Sequence, residues 1–419
     1  MLLLLGVRAV YAIGGVSMAL SLWFLGPGSL YIVSATVFGE ITDTGLLAIP
    51  LFVLMANFLI YSDIADHLFQ ALEYWMSGVK GSLAVVTVLV STVLAMCGGF
   101  GPGIITMSLI GIPAMLKRNY HKSLALGSVM AGGVLGDIIP PSIIMILYGY
   151  ITRLSVGKLF MAGILPGLIC AFLHVLSIVI RCQLNPKLAP RVAEEVTWEK
   201  RWISLKAVVL PALLIVAVLG TILRGIATPT EAAGVGALGA FLCTFLNRTF
   251  SWGMTRKACR ETLKVTGMVL WIVIAANLFR VFFTTIGART LIIDIVGGLP
   301  VSPWIILVMM QVILFVLGMF MDDFAITLIV APIFTPIATC LGFDPIWFAM
   351  VFILNMEIAY LTPPFGWALI MVKGMAPPGV TTGDVWRAAP LFMANKILAL
   401  LMVILIPSLT LWLPGKIIG

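Results

Sequence analysis

Apolar runs of membrane-spanning length dominate the chain. Continuous stretches predict full spans near 2–24, 45–62, 123–150, 158–180, 207–223, 231–247, 266–283, 346–372 and 390–413. Two longer stretches, 83–116 and 303–340, are interrupted in the middle by "CGGFGPG" (97–103) and "GMFMDD" (318–323). Each predicts a re-entrant hairpin, two half-helices that enter and leave on one side. The segments 63–80 and 284–300 mix apolar and polar residues with helical spacing and predict arms lying in the membrane interface.

Basic residues orient these elements. Lys80, the group Lys117, Arg118 and Lys122, the group Arg181 to Lys206 and the group Arg248 to Lys264 fall on one side if both interrupted stretches are hairpins. Lys373, Arg387 and Lys396 then join them, and the positive-inside rule makes that side cytoplasmic. Counting either stretch as one crossing scatters the charges over both sides.

A repeat lies beneath this pattern. Shifted by 223, Pro113, Pro140 and Pro141 land on Pro336, Pro363 and Pro364, and "CGG" (97–99) lands on "FMD" (320–322). The orientation puts the first hairpin on the cytoplasmic side and the second on the outer side, so the halves read as inverted-topology repeats. The predicted fold is an all-α polytopic membrane protein. Residues 1–44 form an N-terminal scaffold span, and 45–181 a first repeat with hairpin 83–116 and broken helix 123–150. Residues 182–265 are a cytoplasmic loop with linking scaffold spans, and 266–419 a second repeat with hairpin 303–340 and broken helix 346–372. Such repeats belong to secondary transporters, which bind substrate and ions near mid-membrane where helices break.

Composition narrows the classes. The 419 residues are 61% hydrophobic and 10% charged, with mean hydropathy +1.16, too apolar for a soluble domain of this length. No cleavable signal is visible, so the first span is expected to be retained. The net charge of +8 reports topology before any acidic partner. The six cysteines form no metal-like cluster with histidine, and His67, His121 and His174 have no acid or nucleophile at catalytic spacing. His121 and His174 read as loop and helix-end residues. No nucleic-acid module or phosphate loop is present, and an intramembrane enzyme would need a nucleophile–base pair or metal ligands at depth. The chain reads as no enzyme.

The breaks carry the candidate chemistry. "GDIIPPSI" (136–143) and "AYLTPPFG" (359–366) put paired prolines inside predicted spans. Proline lacks an N–H and frees carbonyls of the preceding turn, which survive in hydrocarbon only where protein, water or an ion satisfies them. A hard cation such as Na⁺ wants such oxygens, and half-helix N-termini at the hairpin tips favour an anion. A simple kink is the plain alternative for either motif alone. Thr362 adds a hydroxyl that its repeat mate Ile139 lacks. Asp137, Asp322, Asp323 and Glu357 lie at membrane depth, where ionisable groups are costly. Asp322 could ligate Na⁺, bind a substrate hydroxyl or cap its half-helix; Asp137 could cap likewise. Asn355 could meet substrate or another helix. Arg280 and Lys373, near span ends, are anion partners or snorkelling side chains.

The motifs "GGVLGDIIPPSI" (132–143), "FMAGILPG" (160–167), "TPTEAAGVGALGA" (228–240), "MFMDDFAITLIVAPI" (319–333) and "LTPPFGWAL" (361–369) run in order over nearly the whole chain. By them the sequence resembles the large membrane subunit of tripartite ATP-independent periplasmic (TRAP) transporters. The resemblance implies a Na⁺-driven elevator transporter of the bacterial inner membrane for a small organic anion. It implies two partners, a small four-helix membrane subunit and a periplasmic substrate-binding protein. Carried over by position, the first Na⁺ site uses Cys97 to Gly99 at the tip with Gly136, Ile139 and Pro141. The second uses Gly318 to Asp322 at the tip with Ala359, Thr362 and Phe365. Gly98, Gly99, Asp322 and Asn355 are the candidate substrate contacts. Many family members carry Ser-Gly-Ser where this chain has Cys97-Gly98-Gly99, so side-chain hydroxyls are missing at the first site. A stand-alone divalent-anion/Na⁺ symporter is the competing transporter reading, and neighbouring genes for the two partners would separate the two.

Overall fold

The computed structural model describes residues 9–62, 64–190, 197–298 and 300–417, and among these it contains helices and no strand. Among the described residues, seven helices are long and apolar enough to cross a membrane. Residues 2–8 of the first predicted span lie outside the described residues, and the rest form Ala9–Leu25.

Both interrupted stretches fold as helical hairpins. The first is Ser82–Gly98 followed by Phe100–Lys117, with the turn at Gly99 (φ 79°), a backbone region that costs glycine little. The second is Pro303–Phe320 followed by Asp323–Cys340. The predicted broken helices are broken. Lys122–Val134 passes through the 3₁₀ turn Leu135–Asp137 to Ile143–Thr152, and Pro345–Tyr360 gives way to Trp367–Met375.

Element boundaries repeat with the spacing of the prolines. Phe100–Lys117 advanced by 223 gives 323–340, the bounds of Asp323–Cys340, and Ile143–Thr152 gives 366–375 against Trp367–Met375. The amphipathic arms correspond as well, as Ile64–Trp75 and Ala288–Gly297. The halves interlock: Asp323–Cys340 packs on Ile143–Thr152, and Phe100–Lys117 packs on Trp367–Met375. The second arm of each hairpin thus rests on the far half of the other half's broken helix.

Several boundaries differ from the sequence expectation. An extra helix, Ser29–Thr42, follows the first span. The predicted span 266–283 is the end of a single helix, Trp252–Thr285, and Arg256, Lys257, Arg260 and Lys264 lie on it rather than in a loop. Charge alone does not stop a helix. The last predicted span ends early: Pro390–Leu405 is separated from Ser408–Ile417 at Ile406-Pro407. His174 is no helix-end residue but lies fully buried within Val156–Leu184. Its Nδ1 meets the Asn395 amide nitrogen at 3.2 Å.

Outer helix faces are apolar and exposed, as at Leu109, Phe172, Leu242 and Val312, whereas Asp137, Asp323, Glu357 and Lys396 are inside. That is the distribution lipid selects, since hydrocarbon rewards apolar surface and penalises charge.

Candidate functional site

The site is built from two helix breaks and two hairpin tips. In the first break, the Ile138 and Ile139 N–H groups both donate to the Leu135 carbonyl, at 3.3 and 3.0 Å, closing the helix with a tight turn. Pro140–Pro141, a cis pair, then leads to Ser142. The Ser142 hydroxyl donates to the Asp137 carbonyl (2.6 Å) and accepts from the Met145 N–H (3.3 Å), so one side chain serves both sides of the break. The second break mirrors the first. Leu361 N–H donates to Ile358 O at 3.1 Å and Thr362 N–H to Ala359 O at 3.0 Å, before the cis pair Pro363–Pro364. Gly366 then resumes the chain, donating to Thr362 O at 3.0 Å.

Each break meets the hairpin of its own half. A Cβ on Gly136 would lie 2.4 Å from the Ala95 carbonyl carbon, so the first break rests on the helix leading to the first tip. A Cβ on Gly318 would lie 2.6 Å from Ala359 Cβ, so the second tip rests on the second break. Gly98 lies close to Pro102 and Ala56, and Gly99 is the buried turn itself. The side chain of Cys97 lies outside the described residues. Phe365 is half exposed, with its ring 5.3 Å from that of Phe320.

The break oxygens are partly engaged within the chain: Leu135 O accepts two N–H groups and Asp137 O accepts the Ser142 hydroxyl. Ala359 O accepts the Thr362 N–H at 3.0 Å and also faces the Leu361 N–H. The Thr362 hydroxyl donates its hydrogen to Ile358 O at 2.8 Å and keeps its own lone pairs. Asp322 does what a cap does: its Oδ1 accepts the Ala325 N–H at 2.8 Å at the start of Asp323–Cys340. Asp137 makes no such cap; neither of its carboxylate oxygens has a hydrogen-bond partner.

Four further side chains have definite partners. Asn355 makes the helix contact that the sequence offered as its alternative to substrate. Its amide nitrogen donates to Gln311 O and Gln311 Oε1, both at 2.7 Å, joining Pro345–Tyr360 to Pro303–Phe320. Lys396 is not part of the cytoplasmic charge set. It is fully buried and its Nζ lies 2.6 Å from Glu357 Oε2. Arg280 does not simply snorkel: its Nε donates to Asn277 Oδ1 (2.8 Å), and with Arg153 it lines a cavity of about 420 Å³. Lys373 donates to Val380 O at 3.0 Å, tying a helix end. The Lys396 pairing had one sequence signal, a lone basic residue inside an apolar run and an acid inside another.

Comparison with known proteins places this geometry. Residues 1–409 match the family described as tripartite ATP-independent periplasmic transporter, DctM component. The chain is 35% identical over 406 residues to the C4-dicarboxylate TRAP transporter large permease protein DctM of Pseudomonas aeruginosa, covering 96% of this chain and 93% of that protein. It is 30% identical to the sialic acid TRAP transporter large permease protein SiaM of Vibrio cholerae, over 91% of this chain and 88% of that one. Among solved structures, the fold is similar to the YdaH transporter of Alcanivorax borkumensis, with TM-score 0.65 at 16% identity, covering 100% and 99% of the two chains. Neisseria gonorrhoeae MtrF is similar to the same degree, with TM-score 0.65 at 14% identity, covering 91% and 84%. The relatives are transport permeases and not enzymes, and the chain belongs to the DctM family, the large, multi-pass inner-membrane component of tripartite ATP-independent periplasmic transporters.

Proposed function

We propose that this permease carries a small organic anion inward, coupled to Na⁺, by an elevator movement of its two repeats. The observation that carries the reading is the pair of broken helices, each meeting the hairpin of its own half and recurring at a constant spacing. Unwound backbone at membrane depth needs a partner, and two carbonyl-lined breaks suit two cations with an anion between the tips. The first cation takes oxygens of Cys97, Gly99, Gly136, Ile139 and Pro141. The second takes those of Gly318, Asp322, Ala359, Thr362 and Phe365. Gly98, Gly99 and Asp322 remain the substrate contacts.

The repeats 45–181 and 266–419 are inverted across the membrane, with 1–44 and 182–265 as scaffold. Relatives are named for C4-dicarboxylate, sialic acid and 2,3-diketo-L-gulonate, which supports an oxygen-rich organic acid as cargo. A relative named for isethionate widens the class to sulfonates. A periplasmic binding protein delivers the anion, and a small four-helix subunit docks on the scaffold.

Two cations with one monovalent anion move net positive charge inward, worth about 2.3 kcal/mol per charge per 100 mV. Uptake by the reconstituted complex in proteoliposomes is expected to need external Na⁺ and to rise with an inside-negative potential. Uptake indifferent to Na⁺ removes this reading. Within the second site, Thr362→Val keeps shape and branching but deletes one ligand. The expected loss is about 1–3 kcal/mol, or one to two decades in apparent Na⁺ affinity. Ile139→Val, which offers only its carbonyl, is expected to leave the Na⁺ curve unchanged. Initial rates against Na⁺ concentration check both; coincident curves for Thr362→Val and the parent exclude the hydroxyl as a ligand.

A further inference from the structure

By the orientation that the basic groups give, two arginines stand on the outer side, where the positive-inside rule disfavours them. Arg280 lies 16 positions beyond Lys264 on the helix Trp252–Thr285, about 24 Å further along at 1.5 Å per residue. Arg153 closes the broken helix that starts at Lys122, again at the end away from the basic side. Both line one cavity of about 420 Å³, at the small end of the range of ligand pockets, about 300–1,000 Å³. Its walls come from both halves of the chain, with Ile151 and Leu154 from the first and Phe279, Phe283 and Ile333 from the second. None of the lining residues belongs to a hairpin tip or a helix break, so the cavity is separate from the site described above.

The guanidinium groups are held but not neutralised. Arg280 Nε donates to Oδ1 of the buried Asn277 at 2.8 Å, which fixes one edge of the fork. Arg153 lies over the Tyr150 ring, 5.6 Å from its centre, at a left-handed φ of 62° that glycine would adopt at less cost. Among the described residues, neither arginine forms an ion pair. The acids near them are engaged elsewhere. Glu40 Oε2 and Asp43 Oδ2 lie 2.6 and 3.0 Å from the Tyr150 hydroxyl. Asp344, next to the lining Pro345, accepts the Ile346 and Trp347 N–H groups. The hydroxyls of Thr152, Thr284 and Thr339 donate to carbonyls of their own helices, so the arginines are the donors that an entering ligand meets.

A guanidinium meets an oxyanion through paired N–H donors, and apolar walls exclude the water that would screen the attraction. We propose that Arg153 and Arg280 form an outer anion site that holds the carboxylate or sulfonate of the cargo before it reaches the tips. That the occupant is cargo rests on the organic-anion uptake proposed above. A lipid headgroup shares the anionic chemistry, so the test separates the two sources.

The test reads the cavity with a thiol and two reagents of opposite charge. Thr339→Cys, in a Cys259→Ser/Cys340→Ser background that removes the exposed cysteines, places the thiol in the lining of the purified full-length chain in detergent. The reagents are methanethiosulfonates bearing a sulfonatoethyl or a trimethylammonioethyl group, each scaled to its rate with a free thiol and corrected for labelling of the background. The sulfonate is expected to react at least about tenfold faster, the enrichment that a cleft of one sign gives. Arg153→Gln and Arg280→Gln should each remove most of that preference, and Arg280→Lys should keep it; with two arginines tested, misfolding of one variant leaves the other informative. Succinate, gluconate and isethionate are then added at millimolar concentration, and at least one should slow the sulfonate reagent in the parent but not in Arg280→Gln. Equal rates for the two reagents overturn the site. If none of the three acids protects, the cavity does not hold cargo and the proposal falls; protection by phosphatidylglycerol added to the micelles then names a lipid headgroup as the occupant. Uptake that fails while an acid still protects removes the transport reading and not the anion site, a distinguishable result.

Discussion

Replacing Lys396 with methionine is expected to cost the folded permease about 3–5 kcal/mol, because it strands the Glu357 carboxylate in the interior. Both partners are at most 1% exposed, and their atoms lie 2.6 Å apart. The converse change should be milder. Glu357→Gln keeps a side-chain oxygen for the Lys396 ammonium to donate to, at the position Glu357 Oε2 now holds. Removing both charges together, as Glu357→Gln with Lys396→Met, is expected to recover most of the loss, since a buried ion pair is often no more stable than an uncharged pair of similar volume. The check is the yield of monodisperse protein and its apparent melting temperature for the three variants. An order in which Lys396→Met is the best tolerated would mean that the pair does not hold this interface.

That ion pair also marks where sequence reading stopped. Hairpins and broken helices were legible because paired prolines and a positive-φ glycine act locally, whereas single prolines such as Pro113, Pro166 and Pro332 sit inside helices. Pro140-Pro141 and Pro363-Pro364 therefore announced both breaks, and Gly99 announced the first turn. The Ile406-Pro407 break carried the same signal but was lost inside a run judged by hydropathy alone. Charges were harder. A basic residue in an apolar run reads as a topology marker, and whether it faces water or an acid depends on a contact distant in sequence. Lys396 meets Glu357 across 39 positions, and Asn355 meets Gln311 across 44. Arg256 to Lys264 misled in the opposite direction, since one helix carries them continuously into the span behind. Asp137 was visible as a buried acid, but its lack of any partner became apparent only in three dimensions.

The contact between breaks and tips yields a second large effect. Gly136→Ala places a methyl group 2.4 Å from the Ala95 carbonyl carbon and 2.6 Å from its oxygen, so backbone, not a flexible side chain, stands in the way. The first break must then lift off the helix Ser82–Gly98, displacing the carbonyls assigned to the first cation. Overpacking of this kind typically costs about 1–3 kcal/mol, and more where backbone must move. Gly318→Ala is the informative comparison. Its new methyl clashes with Ala359 Cβ, at 2.6 Å, with Ile326 Cδ1 at an ordinary 3.8 Å, and alanine within a helix recovers about 1 kcal/mol of propensity over glycine. The net loss should be smaller, and a compensating change exists. Ala359→Gly removes the opposing methyl, so the double variant Gly318→Ala/Ala359→Gly should regain the Na⁺ dependence that Gly318→Ala alone impairs. No side-chain change at Ala95 can rescue Gly136→Ala, because the carbonyl remains. Na⁺ titrations of uptake by the four variants, the fourth being Gly136→Ala/Ala95→Gly, read this directly. Rescue of Gly136→Ala by Ala95→Gly, or none of Gly318→Ala by Ala359→Gly, would show that the tips and breaks do not meet as described.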